Sequence, residues 1–236
     1  MLTPNDDTIL QINGLRFCWP GQTQPTLTVN QFAIKTGEQI FLQGQSGSGK
    51  STLLAVIAGI HSNYEGDVTL LGTALKSLNQ AGRDRFRAQH LGIIFQQFNL
   101  LPYLSVLENV LLAQQFRKSH QHKAAADEAH RLLKALDVSP TLFHRKANQL
   151  SVGQQQRVAA ARALFARPAL IMADEPTSSL DEKRQLGFLD LLLGQAREFN
   201  CAVLFVSHDL RLAKQFSRAI SMQELNQMQD LIQGRA

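Results

Sequence analysis

"QIFLQGQSGSGKSTLLAVIAGI", residues 39–60, decides the fold. A short apolar run ends at Gly44, a small polar loop follows, and a helical pattern opens at Lys50. Gly44, four residues, then Gly49-Lys50-Ser51, set between a strand and a helix, is the pattern of a phosphate-cradling loop. Its glycines let backbone N–H groups curl around a phosphate chain, and the helix N-terminus favours the negative charge. Lys50 can reach β- and γ-phosphates and Ser51 can ligate Mg²⁺, so residues Gly44, Gln45, Ser46, Gly47, Ser48, Gly49, Lys50, Ser51 and Thr52 form the candidate cradle.

Working outward, "LGIIFQ" at 91–96, "ALIMADE" at 169–175 and "AVLFVSH" at 202–208 are further apolar runs that end in polar residues, as buried parallel strands do. Helical patterns lie among them, at 124–136 and 185–199. Alternation of this kind predicts an α/β fold with a mainly parallel core sheet. Residues up to about Lys35, rich in Thr, Val, Phe and turn residues, predict short antiparallel strands beside it. From about 97 to 167 the pattern is mainly helical, which predicts a helical subdomain inserted into one domain spanning 1–236.

Strand ends carry the chemistry. Asp174 and Glu175 close an apolar run, so they belong at the C-terminal sheet edge, where open α/β folds bind ligands and where the glycine loop also opens. A metal shell suits Asp174, and an attacking water needs a base, which suits Glu175. Gln96 and His208 end two other runs and point to the same γ-phosphate region, His208 in a catalytic or switching role.

A second anion site begins at "QLSVGQQQRVAAARAL", residues 149–164. Ser151 is a natural N-cap for a helix that Pro168 stops. One glycine loop already envelops a phosphate tail, so this second helix start is expected to close over a nucleotide held by another copy of the chain.

Composition narrows the setting. Hydrophobic residues make up 44% and charged residues 18% of the 236, and the net charge is +5. No run approaches the roughly 18–20 apolar residues that span a bilayer. The start, "MLTPNDDTIL", lacks the basic cluster and apolar run of a signal peptide, so a cytoplasmic location is expected. Basic residues are dispersed, the densest run, "RDRFRAQH" at 83–90, reads as a solvated helix face, and no nucleic-acid partner is expected. "HQH" at 120–122 reads as solvated loop, and Cys18 and Cys201 as reduced, buried thiols.

In this order, "GQSGSGKST", Gln96, "LSVGQ", "LIMADEP", "SSLD" at 178–181 and His208 resemble the ATP-binding subunits of ABC transporters, over nearly the whole chain. The resemblance implies an ABC-type P-loop NTPase with ATP and Mg²⁺ as cofactors, working as a homodimer. Each ATP would lie between Gly44–Thr52 of one subunit and Ser151, Gly153 and Gln154 of the other. It further implies that Trp19 stacks on adenine and that Asp181 lies across the dimer interface. Gln96 would sense the γ-phosphate, join Ser51 and Asp174 at the metal, and link to the helical subdomain. Val152 departs from the family's usual glycine; only its backbone N–H is needed there, so weakened or unchanged turnover is expected.

Within the family, "RFRAQHLGIIFQQFNLLPYLSVLENVLL" is most similar to the ATPases of the lipoprotein-releasing and macrolide-export group, whose permeases carry a large periplasmic domain. Polar amino-acid importers share the "FQQFNL" stretch and come second. After His208 only 28 residues remain, too few for the regulatory domain of sugar-importer ATPases. A soluble family member acting on DNA or ribosomes would usually show a coiled-coil insert or a second cassette. Phe98, Leu100, Leu101, Tyr103 and Leu104 could form a groove for a permease helix or pack the helical subdomain. The ATPase would then sit on the inner face of the membrane, held through its permease.

Overall fold

Side chains along the central strands alternate between two hydrophobic clusters, one on each face of a five-stranded sheet. The computed structural model describes residues 7–112, 114 and 122–227; Met1–Asp6 of the start and His120 and Gln121 of "HQH" lie outside them. Strands β1 (Thr8–Phe17) and β2 (Leu27–Lys35) come first, then β3 (Gln39–Gln43) and helix α1 (Lys50–Ile57). Next are β4 (Glu65–Leu70), β5 (Thr73–Ala74), α2 (Gln80–His90) and β6 (Leu91–Ile94). Helices α3 (Val106–Leu111), α4 (His122–Ala135) and α5 (Val152–Phe165) lead to β7 (Leu170–Asp174). The chain continues through α6 (Glu182–Glu198), β8 (Ala202–Ser207), β9 (Arg218–Ser221) and α7 (Met222–Leu225).

The core sheet has the order β6-β7-β8-β3-β9, every pair parallel. Ile40, Leu42, Leu170, Met172, Leu204 and Val206 face α1 and the antiparallel layer, whereas Phe41, Ile171, Ala173, Val203 and Phe205 face the helical side. A strand buried on both faces must be apolar at every position, which is why these runs were legible as strands. The chain is an α/β P-loop NTPase fold.

The antiparallel layer has the order β2-β1-β4-β5. Its first two strands fall in the predicted N-terminal region, but they are ten and nine residues long rather than short. The layer is completed by β4 and β5, which return from beyond α1. Helix α2 buries no residue fully, but its basic run is solvated only in part: Arg83 and Arg87 are half-buried and donate to the carbonyls of Leu78 and Ala58, and Phe86 packs on the core. Both cysteines are free, but only Cys201 is buried, Cys18 being half-buried near the end of the first strand; burial pushes the Cys201 thiol up to about 12.

Between Gln96 and Arg167 the described residues are helical or irregular apart from one antiparallel bridge, Ser105 to Lys146. Helix α5 also belongs to the core: a Cβ on Gly92 of β6 would meet the Ala163 carbonyl oxygen at 2.6 Å, so glycine is needed for that approach. Phe98 is buried in the helical-side cluster and Leu100 packs against it, whereas Tyr103 is 65% exposed. Phe98 is therefore a core residue and not part of an open groove.

Candidate active site

Strand register brings four loops to one edge. Gln43 ends β3 opposite Ser207, Asp174 ends β7 opposite Val206, and Ile94 ends β6 opposite Ala173. The glycine loop, Glu175, His208 and the segment bearing Gln96 all leave from there. The run at 91–96 is strand only to Ile94; Gln96 lies in the turn that follows.

Helix α1 starts without a side-chain cap and with no acidic residue in its first turn. Helices α2, α3, α5, α6 and α7 are capped by Asn79, Ser105, Ser151, Asp181 and Ser221. An uncapped start leaves amide donors free for an anion. Gly49 holds φ 97°, a left-handed conformation that favours glycine, and turns the loop into the helix. Gly44 is required by packing: a Cβ there would meet Ser48 Oγ at 2.6 Å and Met222 Cβ at 2.8 Å.

Lys50 is only 6% exposed, and its ammonium is held inside the loop. Nζ donates to the carbonyls of Gly44 (2.7 Å) and Gln45 (2.8 Å) and lies 3.5 Å from Glu175 Oε1. Phosphate oxygens are stronger, charge-assisted acceptors than these carbonyls. Ser51 Oγ donates to Asp174 Oδ2 at 3.0 Å. Asp174 is held above the usual carboxylate range, chiefly by burial and further by the neighbouring Glu175 charge, with the Ser51 hydrogen bond and Lys50 opposing.

Glu175 takes φ 45°, which is strained for a non-glycine residue. Its N–H donates to the Val206 carbonyl at 3.0 Å, and Oε2 lies 3.3 Å from His208 Nδ1. Gln156 and Gln185 donate to the carbonyls of Pro176 (3.0 Å) and Thr177 (3.1 Å), which braces the loop after Glu175.

A cleft of about 620 Å³ is lined by Trp19, Thr26, Ser46, Gly47, Gly49, Lys50, Ser51, Thr52, Gln96, Asp174, Glu175 and His208. Trp19, 38% exposed, meets Phe17 and His61 edge to face at 5.2 and 4.9 Å, which fixes its ring as a platform. Gln45, Ser46, Gly47 and Ser48 line an adjoining cavity of about 430 Å³.

Ser151, Gly153, Gln154 and Asp181 line neither space. Ser151 and Gln154 form a reciprocal cap on α5: the Gln154 N–H donates to Ser151 Oγ (3.4 Å) and the Ser151 N–H to Gln154 Oε1 (2.9 Å). The Ser151 hydroxyl hydrogen and the Gln154 amide remain available as donors. Asp181 caps α6 through the Arg184 N–H (3.0 Å), a local role its sequence position did not disclose. Asn226 was not anticipated either. Its side-chain amide donates to Ser48 O (3.3 Å) and Thr26 O (3.1 Å) and accepts from the Thr28 N–H (2.8 Å), tying the far end of the chain to the glycine loop. No motif marks a lone asparagine for that task.

The oxygens of Ser51 and Asp174 stand as far apart as neighbouring ligands on an octahedral ion bound at about 2.0–2.1 Å. No group of three or more His, Cys, Asp and Glu suited to a metal occurs among the described residues. So few protein donors fit an ion that keeps water and phosphate oxygens, as Mg²⁺ does.

An uncapped helix start, a lysine directed into the loop and carboxylates at the same sheet edge define a P-loop nucleotide-binding protein. The family model described as ABC transporter matches residues 27–178, and the chain belongs to that family as an ABC-type ATPase. It is 42% identical over 196 residues to the ABC transporter ATP-binding protein YbbA of Escherichia coli, covering 83% of this chain and 85% of that one. It is 40% identical over 200 residues to the lipoprotein-releasing system ATP-binding protein LolD of Hydrogenovibrio crunogenus, covering 85% and 86%. A solved ATP-binding cassette, a dimer in a post-hydrolysis state with ADP and Pi, superposes with a TM-score of 0.82 at 34% identity, over 90% of this chain and 94% of that one. No helix among the described residues is long and apolar enough to cross a membrane.

Proposed function

We propose that this chain is the ATP-hydrolysing subunit of an exporter or extraction system of the lipoprotein-releasing and macrolide-export type. It acts as a homodimer at the inner face of the cell membrane and drives a separate permease with a large periplasmic domain. The observation that carries this reading is the separation of its phosphate-binding features. One helix start opens into the cleft with Lys50, Ser51, Asp174, Glu175 and His208, while the start of α5, with Ser151, Gly153 and Gln154, lies outside it. Similarity to LolD proteins supports the subfamily, and the dimeric solved cassette supports pairing.

In this reading Gly44–Thr52 hold the phosphates of ATP, and Trp19 stacks on the base. Ser51, Gln96 and Asp174 would hold Mg²⁺, which when bound would supply neutralisation of the charge that develops on the phosphates. Glu175 accepts the proton of the water that attacks the γ-phosphorus, and His208 orients Glu175 through their 3.3 Å contact. Ser151, Gly153 and Gln154 close on the ATP of the second copy, and Asp181 faces that copy across the interface. Closure on ATP and opening after hydrolysis transmit work through the subdomain at about 97–167.

Purification of the tagged subunit from membranes in mild detergent, with identification of the integral protein held in stoichiometric amount, tests the assignment. A permease with a large periplasmic domain is the expected result. A permease without one, working with a solute-binding protein, would overturn it in favour of a polar amino-acid importer.

A further inference from the structure

Arg162, on the last turns of α5, is a half-buried cation that makes no ion pair with a carboxylate among the described residues. Burial holds its pKa below the ordinary arginine value. Its guanidinium is directed at two consecutive backbone carbonyls, donating to Phe98 O at 2.6 Å and Asn99 O at 2.7 Å. Phe98 and Asn99 have φ 57° and 48°, left-handed values that strain both residues. The same turn is closed by the Phe98 N–H on Phe95 O (2.9 Å) and the Asn99 N–H on Gln97 O (2.6 Å), so it wraps Gln96. The Phe98 ring is packed in the core cluster that Val158 and Leu164 of α5 share. Two nitrogens of one rigid planar fork each take one carbonyl, a fixed spacing and orientation that the single ammonium of lysine on its flexible stem does not impose.

We infer that Arg162 is a positioning residue for Gln96, clamping its strained turn to α5 so that Gln96 and the Ser151–Gly153 end of the same helix move as one body. The consequence is that closure of that end on a second copy sets the position of Gln96 at this chain's own nucleotide. The inference rests on the role proposed above for Gln96.

A double-mutant cycle on the purified full chain tests it, with steady-state ATPase kinetics and a melting temperature for each variant. Arg162→Lys is expected to lower kcat roughly tenfold with little change in KM. In a Gln96→Ala background the same substitution should change kcat less than about twofold, because a clamp has nothing left to position. Equal losses in both backgrounds would mean that Arg162 only supports the fold, and would overturn the inference. A slow Gln96→Ala with an indifferent Arg162→Lys overturns the inference alone, whereas a Gln96→Ala of normal rate overturns the role of Gln96 with it. If Arg162→Lys folds poorly, Asn99→Gly provides a second arm. Glycine adopts the left-handed conformation freely, so adding it to Arg162→Lys should restore at least about half of the lost kcat. Absence of rescue counts against the clamp.

Discussion

Asp174 shows what one residue costs when it is placed for chemistry. Its carboxyl binds a proton more tightly in the fold than in the unfolded chain, chiefly because it is buried. That contribution to stability is complete below the unfolded value of about 3.9 and is lost as pH rises through the raised folded value. At neutral pH the ionised group therefore weighs against the fold in the absence of ligand. Asp174→Asn should raise the ligand-free melting temperature on the alkaline side of the raised pKa and reduce the stability lost as pH rises above about 4, while lowering hydrolysis by at least about 100-fold. Scanning calorimetry at several pH values checks the first part and phosphate release the second. Val152 shows the converse, a departure at low cost. It is the first residue of α5 and 48% exposed, and valine keeps the backbone N–H that glycine would supply. Val152→Gly is expected to change the ATPase rate less than tenfold, below about 1.4 kcal/mol, and a change of several hundredfold would show a degenerate half-site. Asp174, Glu175 and His208 were legible because each follows an apolar run. The Arg162 clamp and the Asn226 tie were not, because they join backbone atoms far apart in the chain, and backbone carbonyls carry no sequence signal.

Among the elements, α5 has the most to explain. Gly153 occupies its second position without a positive φ, and an added Cβ would meet only Leu180 Cδ2, at 4.0 Å. Nothing among the described residues requires glycine there, and alanine is the better helix former by up to about 1 kcal/mol. Gly153→Ala should therefore leave the monomer equally or more stable, measured by urea unfolding, yet weaken ATP-dependent dimerisation and turnover. A variant that dimerises and turns over normally would remove the half-site from this helix start. Long two-faced strands and the capped start of α5 were legible from periodicity and the Ser151 cap. Strand β9 was not: its four residues, "RAIS", are exposed or half-buried on the sheet edge, so no apolar run announces them. For β4, "EGDVTL" buries only Val68 and Leu70, and its longer ladder is with β1, at separations from 49 (Arg16 with Glu65) to 60 (Leu10 with Leu70) residues.

In the whole molecule, one sheet edge gathers the glycine loop, Gln96, Glu175 and His208, and the start of α5 stands apart from it. That division is the physical reason to expect two copies around each ATP, and it was legible early because both helix starts were visible in the chain. The packing of α5 against β6, which ties the helical region to the core sheet, was not, since only Gly92 marks it. Glu175→Gln removes the proposed base while leaving Ser51 and Asp174, the proposed metal ligands, in place, so hydrolysis should become negligible with ATP binding retained. The decisive measurement is the mass of Glu175→Gln in solution by light scattering, with and without Mg²⁺-ATP. The expected result is a stable dimer with ATP, a monomer without it, and no turnover. A variant that stays monomeric at saturating ATP and hydrolyses it at the normal rate would contradict the shared site.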